Sequence, residues 1–377
     1  MTDIFISSDN ILSPLGSTSA ENFEQLKRSV SGIKRHEDII MSEQPFYASL
    51  FDREEKFIDD AANRYTKFEK LLIASISDAL AGSGVSARDK KTVLIISSTK
   101  GNISLLETET CNSDLQARIS LHTSAKLIAG HFGFVSQPII ISNACISGIL
   151  AMITGMRLIR SGQYENAVIA GADVISKFVL SGFQSFQAVS NELCKPFDAK
   201  RNGINLGEGA ATVILSSNAA YSRGIKITGG SVSNDANHIS GPSRTGEELN
   251  QAIGNAMKEA GLSSTEIDLI SAHGTATVYN DEMEAKAITM ANMRTVPVNS
   301  LKAYYGHTLG AAGLIESIIS FHSMKEDIVL PTLGFSEMGV TMPVNIATSL
   351  YKTPLKNCLK TASGFGGCNA AVIFSKQ

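Results

Sequence analysis

A chain of 377 residues allows two or three domains at about 150 residues each, or one large fused unit. With 43% apolar and 18% charged residues it can bury a sizeable core, which excludes global disorder. A formal net charge of −3, no tryptophan and 6% aromatics exclude a globally basic nucleic-acid binder and disfavour a stacking platform for single strands, leaving only a local basic patch open.

The first residues, Met1 to Phe5, carry an early acid and no basic stretch before a long apolar run, so they do not read as a signal peptide. No apolar run approaches the roughly 18 residues of a spanning helix, and a cytoplasmic protein with no membrane partner is expected. Apolar residues at Phe68, Leu71, Leu72, Ile76, Ala79 and Leu80 predict a helix over Lys67–Leu80. Val93–Ile96 and Pro138–Ile141 read as strands buried on both faces. Ile146–Ile159 reads as a helix, and Ala167–Gly171 and Ala211–Leu215 as strands. Ser216–Gly224 is the least committed stretch. Beyond it, Thr245–Ala260 predicts an amphipathic helix closed by Gly261, Ile267–Ala272 a strand, Leu309–Met324 a helix and Ala371–Phe374 a last strand. Alternating strands and helices imply an α/β protein of two βα-rich halves packed into one body.

The chemistry-bearing residues sit at breaks between these elements. Gly364-Phe365-Gly366-Gly367 resembles a dinucleotide loop, but position 369 is Asn369 and a strand follows, so no nucleotide cofactor is expected. Five cysteines include no CxxC pair, which argues against a structural zinc site or a disulfide framework. Cys145 follows a buried strand and precedes a helix whose dipole would favour the thiolate. That placement suits a nucleophile, although an arbitrary cysteine is more often an inert core residue. His273 follows a strand and His307 precedes a helix. Each alone is more often a structural hydrogen-bonding histidine. Together with a nucleophilic cysteine they suit a reaction in which charge develops on a second substrate's carbonyl or carboxylate.

In order, the segments Asn143-Ala144-Cys145-Ile146-Ser147-Gly148, Lys195-Pro196-Phe197-Asp198, Gly207-Glu208-Gly209-Ala210, Ala272-His273-Gly274-Thr275, Leu301-Lys302, Gly306-His307-Thr308-Leu309-Gly310 and Gly364-Phe365-Gly366-Gly367 span nearly the whole chain. On these the sequence resembles the β-ketoacyl-[acyl-carrier-protein] synthases, the elongating ketosynthases of the thiolase superfamily. The resemblance implies a thiolase-like fold of five layers, αβαβα, with residues 1–217 carrying the nucleophile and 218–377 both histidines. It implies decarboxylative Claisen condensation of an acyl thioester on Cys145 with malonyl-carrier, without cofactor or metal, in fatty acid, polyketide or polyene synthesis. His273 and His307 would serve the malonyl half-reaction, with Lys302 beside Glu316 holding the site's charges. Phe365 would be the gate, its N–H joining that of Cys145 in an oxyanion hole, with Thr275 and Gly366 in support. Asp281 and Glu284 read as structural acids at a helix start.

An acyl carrier protein is the implied partner. Arg64, Lys67, Lys70, Lys195, Lys200 and Arg201 could form its docking patch or a solvated face. A homodimer or a ketosynthase-like heterodimer, paired through Pro138–Ile141, is implied as well. The alternatives are a non-elongating partner subunit of the chain-length-factor type, a biosynthetic thiolase and a thiolase-fold acyltransferase. The stretch between Leu106 and His122 and the loop Ser190-Asn191-Glu192 are shorter than in typical elongating enzymes, so chain-length preference does not transfer. Cys368 stands where many relatives have threonine, either as an inert small residue or as a second thiol near the site.

Overall fold

The computed structural model describes residues 2–52, 55–235 and 241–377. Five strands of the first half lie in one sheet: β1 (Phe5–Leu12), β2 (Thr92–Ser97), β3 (Ile139–Ile141), β4 (Asn166–Asp173) and β5 (Gly209–Ser216). Their order is β3-β2-β4-β5-β1, with β3, β2 and β4 parallel and β5 antiparallel to both its neighbours. The second half supplies β6 (Ile225–Asn234), β7 (Leu269–Ser271), β8 (Pro297–Asn299), β9 (Asn345–Ile346), β10 (Asn357–Gly364) and β11 (Cys368–Lys376). These repeat the order as β8-β7-β10-β11-β6, with β9 added outside β8. The two sheets meet where Phe5 of β1 pairs with Lys226 of β6.

Six helices complete the layers: α1 (Lys67–Ala81), α2 (Leu121–Phe132), α3 (Ser147–Arg160), α4 (Glu247–Ala260), α5 (Val278–Met290) and α6 (Ala312–Glu326). The alternation of strand side chains shows where each helix lies. Leu94, Ile96, Val168 and Ala170 pack outward with α1 and α2, whereas Val93, Ile95, Ala167 and Ile169 pack inward with α3 and α6. In the second sheet Leu359, Ala371 and Ile373 face α4 and α5, and Cys358, Val372 and Phe374 face the same α3–α6 layer. The layers therefore run αβαβα, the thiolase-like arrangement. Strands covered on both sides become continuous apolar runs, as β2 and β4 are. A helix between two sheets is buried all round, so α6 buries Leu314, Ile315, Ile318, Ile319 and Phe321 together with Glu316, Ser317 and Ser320. Each such aliphatic side chain contributes roughly 1.5–3 kcal/mol.

Two expectations change. The strand of Ile139–Ile141 is not buried on both faces: it is the sheet's edge, and its isoleucines are half-buried. The helix read from Leu309 starts later, because a single 3₁₀ turn at Leu309–Ala311 precedes α6. Gly261 does close α4, at a φ of 70°.

Candidate active site

Between the end of β3 and the start of α3 the chain turns sharply. Ala144 sits at a φ of 44°, a region that costs a non-glycine residue about 1–3 kcal/mol. Ser147 holds the turn: its Oγ accepts from the Asn143 N–H at 2.8 Å and donates to the Ala144 carbonyl at 2.7 Å. Cys145 is thereby placed at the corner, half-buried and open to a cavity of about 630 Å³. Burial pushes its thiol up to about 12, with Cys368 adding and the Lys302 charge and the Phe365 N–H opposing. The dipole of α3 opposes this rise, and a helix end contributes at most ~2 kcal/mol.

His273 follows β7 on a loop clamped from below by two carboxylates of α5. Glu284 accepts the His273 and Gly274 N–H groups, both at 2.8 Å. Asp281 accepts from Thr275 N–H at 2.9 Å and Phe197 N–H at 2.7 Å. Both acids are fully buried, and their role is structural: they satisfy backbone N–H groups of the His273 loop and of Phe197. Burial, with Glu284 adding, raises Asp281 to about 7. Thr275 lines the cavity, its hydroxyl 2.8 Å from that of Thr277.

His307 arrives from the other side, after a short helix (Lys302–Tyr305) and Gly306. Its N–H donates to the Asn205 carbonyl at 2.7 Å, and its carbonyl accepts from Gly207 at 3.1 Å. Gly207 must be glycine, because a Cβ there would stand 2.0 Å from the Tyr305 carbonyl oxygen. The His273 and His307 rings cross at 80° with centroids 5.3 Å apart. A ring nitrogen of each and the Cys145 Sγ all lie within 4.8 Å of one another. These are donor types a soft divalent ion could use. Among the described residues, neither ring nitrogen of His307, nor Nδ1 of His273, has a hydrogen-bond partner. Burial, followed by the Lys302 charge, holds both imidazoles well below 6.5. They are neutral, each with one N–H, and unpaired buried donors beside a cavity are a place for a ligand's oxygen.

Lys302 is fully buried rather than a solvated surface lysine. It forms an ion pair with Glu316 Oε1 and donates to the His273 carbonyl at 3.0 Å. The other carboxylate oxygen, Oε2, lies 2.7 Å from the ammonium of Lys360. Lys360, also fully buried, donates to the carbonyls of Ser271 at 3.1 Å, Ala272 at 3.3 Å and Thr361 at 2.8 Å. Sequence reading missed it. The available signal was a lysine inside Asn357–Gly364, a strand of mixed small and polar residues that shows no apolar run.

Phe365 lies in the hairpin turn between β10 and β11, where Gly366 takes a φ of 86°. Its ring is 40% exposed and packs on Phe183 and Phe186, with centroids 5.8 and 5.4 Å away, across the cavity wall. Gly364 lets the hairpin touch the elbow: a Cβ there would come 2.9 Å from the Cys145 nitrogen and 3.0 Å from Cys368 Sγ. Cys368 itself is a packed thiol, donating to the Phe365 carbonyl at 3.4 Å and raised to about 11 by burial.

The six cations do not form one free basic field. Lys67 lies 2.6 Å from Glu208, Arg64 and Lys70 share Asp60 at 3.9 and 3.5 Å, and Lys195 pairs with Glu192 at 2.8 Å. Arg201 donates to the carbonyls of Gly339 at 2.6 Å, Asp198 at 3.0 Å and Val278 at 3.3 Å. Neighbouring acids and loop carbonyls, which a charge count along the chain does not see, satisfy five of the six. Lys200 is exposed.

Residues 1–220 match the family model for the N-terminal domain of β-ketoacyl synthases, and residues 225–336 that for their C-terminal domain. The 3-oxoacyl-[acyl-carrier-protein] synthase 2 of Vibrio cholerae is 29% identical, covering 99% of this chain and 99% of its own. That of Rhizobium meliloti is 33% identical over 62% of this chain and 59% of its own. Among solved structures, an ishigamide ketosynthase/chain length factor superposes with a TM-score of 0.92 at 24% identity, covering 100% of this chain and 99% of that one, a likeness of fold. A Xenorhabdus doucetiae ketosynthase, solved in complex with its chain length factor, gives 0.86 at 25% identity, covering 100% and 98%. With both family models matched in chain order, this protein belongs to the β-ketoacyl synthase family.

Proposed function

We propose that the chain catalyses the decarboxylative condensation of an acyl thioester with malonyl-acyl carrier protein to give 3-oxoacyl-acyl carrier protein. One observation carries the reading: two neutral imidazoles, with three ring nitrogens that have no partner among the described residues, stand beside a cysteine sulfur at an open cavity. In loading, the Cys145 sulfur bonds to the acyl carbon, its proton passes to a neutral imidazole, and the carrier thiol leaves with a proton. The N–H groups of Cys145 and Phe365 hold the oxyanion. Malonyl-carrier then loses CO₂, and the electrons of the broken bond move onto its thioester oxygen. His273 and His307 donate to that oxygen. The enolate carbon attacks the acyl carbonyl, the carbon–sulfur bond breaks, and the Cys145 sulfur leaves as thiolate and takes up one proton from water. Lys302 and Glu316 keep the His273 carbonyl and the site's charges in place, Thr275 lines the wall, Gly366 shapes the turn that carries Phe365, and Phe365 gates the entrance.

The carrier protein is taken as the donor of both substrates, with Arg64, Lys67, Lys195 and Arg201 around its approach. Residues 1–217 form the nucleophile half and 218–377 the histidine half. The half-exposed isoleucines of β3 support pairing of two chains, identical or ketosynthase-like, along that edge. A cytoplasmic location is in keeping with the absence, among the described residues, of a helix long and apolar enough to cross a membrane. Cys145 with both histidines weighs against a non-elongating partner subunit.

The test pairs two readouts on the intact protein: its mass after mixing with a panel of acyl-carriers, and CO₂ release from malonyl-carrier. An acyl adduct on the Cys145 peptide and CO₂ release are expected. Loading without any decarboxylation would make the protein a thiolase-fold acyltransferase. A stable monomer of 40.1 kDa by light scattering, with activity intact, would overturn the paired assembly.

A further inference from the structure

Glu316 is shared. One oxygen meets Lys302 and the other Lys360, so a second ammonium lies one carboxylate away from the group that holds the His273 carbonyl. Lys360 also grips the carbonyls of Ser271 and Ala272, the last two residues before His273. Its neighbour Thr361 donates to Glu284 at 2.6 Å, and Glu284 in turn accepts the His273 N–H. The strand end that delivers His273 is therefore held on both sides from β10. From these contacts we infer that Lys360 is a positioning residue for the malonyl half-reaction, fixing the His273 strand end and sharing Glu316 so that Lys302 and both imidazoles keep one arrangement. The inference rests on the condensation reading above.

The charges around the imidazoles explain why a second lysine is needed. Facing them are Cys145 from the elbow, Lys302 and Tyr305 from the short helix, Glu316 from α6, Lys360 from β10, and Glu284 and Asp281 from α5. Burial keeps the Cys145 thiol and the Tyr305 phenol protonated at neutral pH. Two ammonium groups then stand against two glutamates, with Asp281 titrating near 7. Removing Lys360 would leave Glu316 to Lys302 alone and take away a cation that both buried imidazoles feel, so the imidazoles would gain protons more readily. An imidazolium donates well, but it binds the malonyl carboxylate before CO₂ leaves and so stabilises the ground state as much as the enolate. A solvated lysine could not do this; a buried one within 2.7 Å of the shared carboxylate can.

The test is Lys360→Met, close in length and uncharged, with Lys360→Arg as the charge-keeping comparison. Histidine-selective ¹⁵N NMR reads the protonation of His273 and His307 against pH, and the acyl-loading and CO₂ assays read the two half-reactions. Loss of a nearby cation lets an imidazole protonate more easily, so the Lys360→Met midpoints should move to higher pH while those of Lys360→Arg stay close to wild type. Decarboxylation should fall about tenfold to a hundredfold, the scale of a small misplacement, and its acid limb should move to higher pH, with loading changed little. Unmoved midpoints, an unchanged CO₂ rate, or equal loss in both half-reactions would overturn the inference. The imidazole titration needs no turnover, so a wild-type protein that neither loads nor decarboxylates would sink the condensation reading while the midpoints still decide the role of Lys360. Should Lys360→Met not fold, Lys360→Gln gives the same readings.

Discussion

The two halves repeat one strand order but spend the corresponding connection differently. In the first half, residues 142–146 lead from β3 into α3, and the turn is tight enough to force Ala144 to a positive φ. In the second, residues 300–311 lead from β8 into α6 and hold a short helix, Gly306 and a 3₁₀ turn. The tight version presents a single atom, the Cys145 sulfur. The long version drives Lys302 inward against Glu316 and brings His307 back to the surface of the cavity. A nucleophile needs only a sharp corner; a group that must hold charge steady needs depth and several partners. One topological position can host either, depending on how much chain is inserted there.

The largest expected effect separates the halves outright. Cys145→Ala should abolish the acyl adduct in intact mass spectra, because no other described cysteine sits at a strand–helix corner. An adduct that migrates to Cys368 or Cys194 would break the division. Next, His273→Ala and His307→Ala should each lose CO₂ release from malonyl-carrier by at least about a hundredfold, the usual scale for one preorganised donor. Both should still load Cys145 in part. If loading fails while CO₂ release is unchanged, the second half activates the nucleophile instead.

A pH experiment sharpens the same contrast at smaller scale. The Cys145 thiol is pushed up to about 12, so alkylation of the unloaded enzyme by iodoacetamide should rise about tenfold per pH unit from 7 to 9, following the thiolate fraction. The histidines are held neutral well below 6.5, so their donor form is constant across that window, and decarboxylation by loaded enzyme should be nearly flat. An alkylation plateau near pH 7 would reveal a thiolate–imidazolium pair joining the halves. The smallest effect concerns the elbow. Ala144→Gly should raise stability in urea melts by about 1 kcal/mol, since glycine occupies a positive φ without strain. A loss of stability would mean that the turn is not where strain is held.

Much of the site is legible along the chain because its main groups sit where local patterns break. Cys145 and His273 follow apolar runs, His307 precedes a helix, and the glycine-rich hairpin is visible beside Phe365. Groups defined by distant partners are not legible in this way. Lys360 depends on Glu316, across the middle layer, and on carbonyls of another strand. Asp281 and Glu284 look like ordinary helix-start acids until the fold brings the His273 loop onto them. Lys67 and Arg201 look available until Glu208 and the Gly339 carbonyl come into reach. The half-burial of β3 was hidden for a related reason: its three isoleucines read as core, and only sheet order reveals an edge.

The layer of α3 and α6 packs against both sheets, and this bears on how the molecule comes apart. A core owned jointly cannot be divided without exposing it, so the two halves should melt in one cooperative transition rather than two. A protease cut in the Ser216–Gly224 connector should leave two pieces that remain bound and migrate as one particle. Expressed separately, each fragment should misbehave alone and recover when mixed with the other, which makes the protein a candidate for split-reporter complementation.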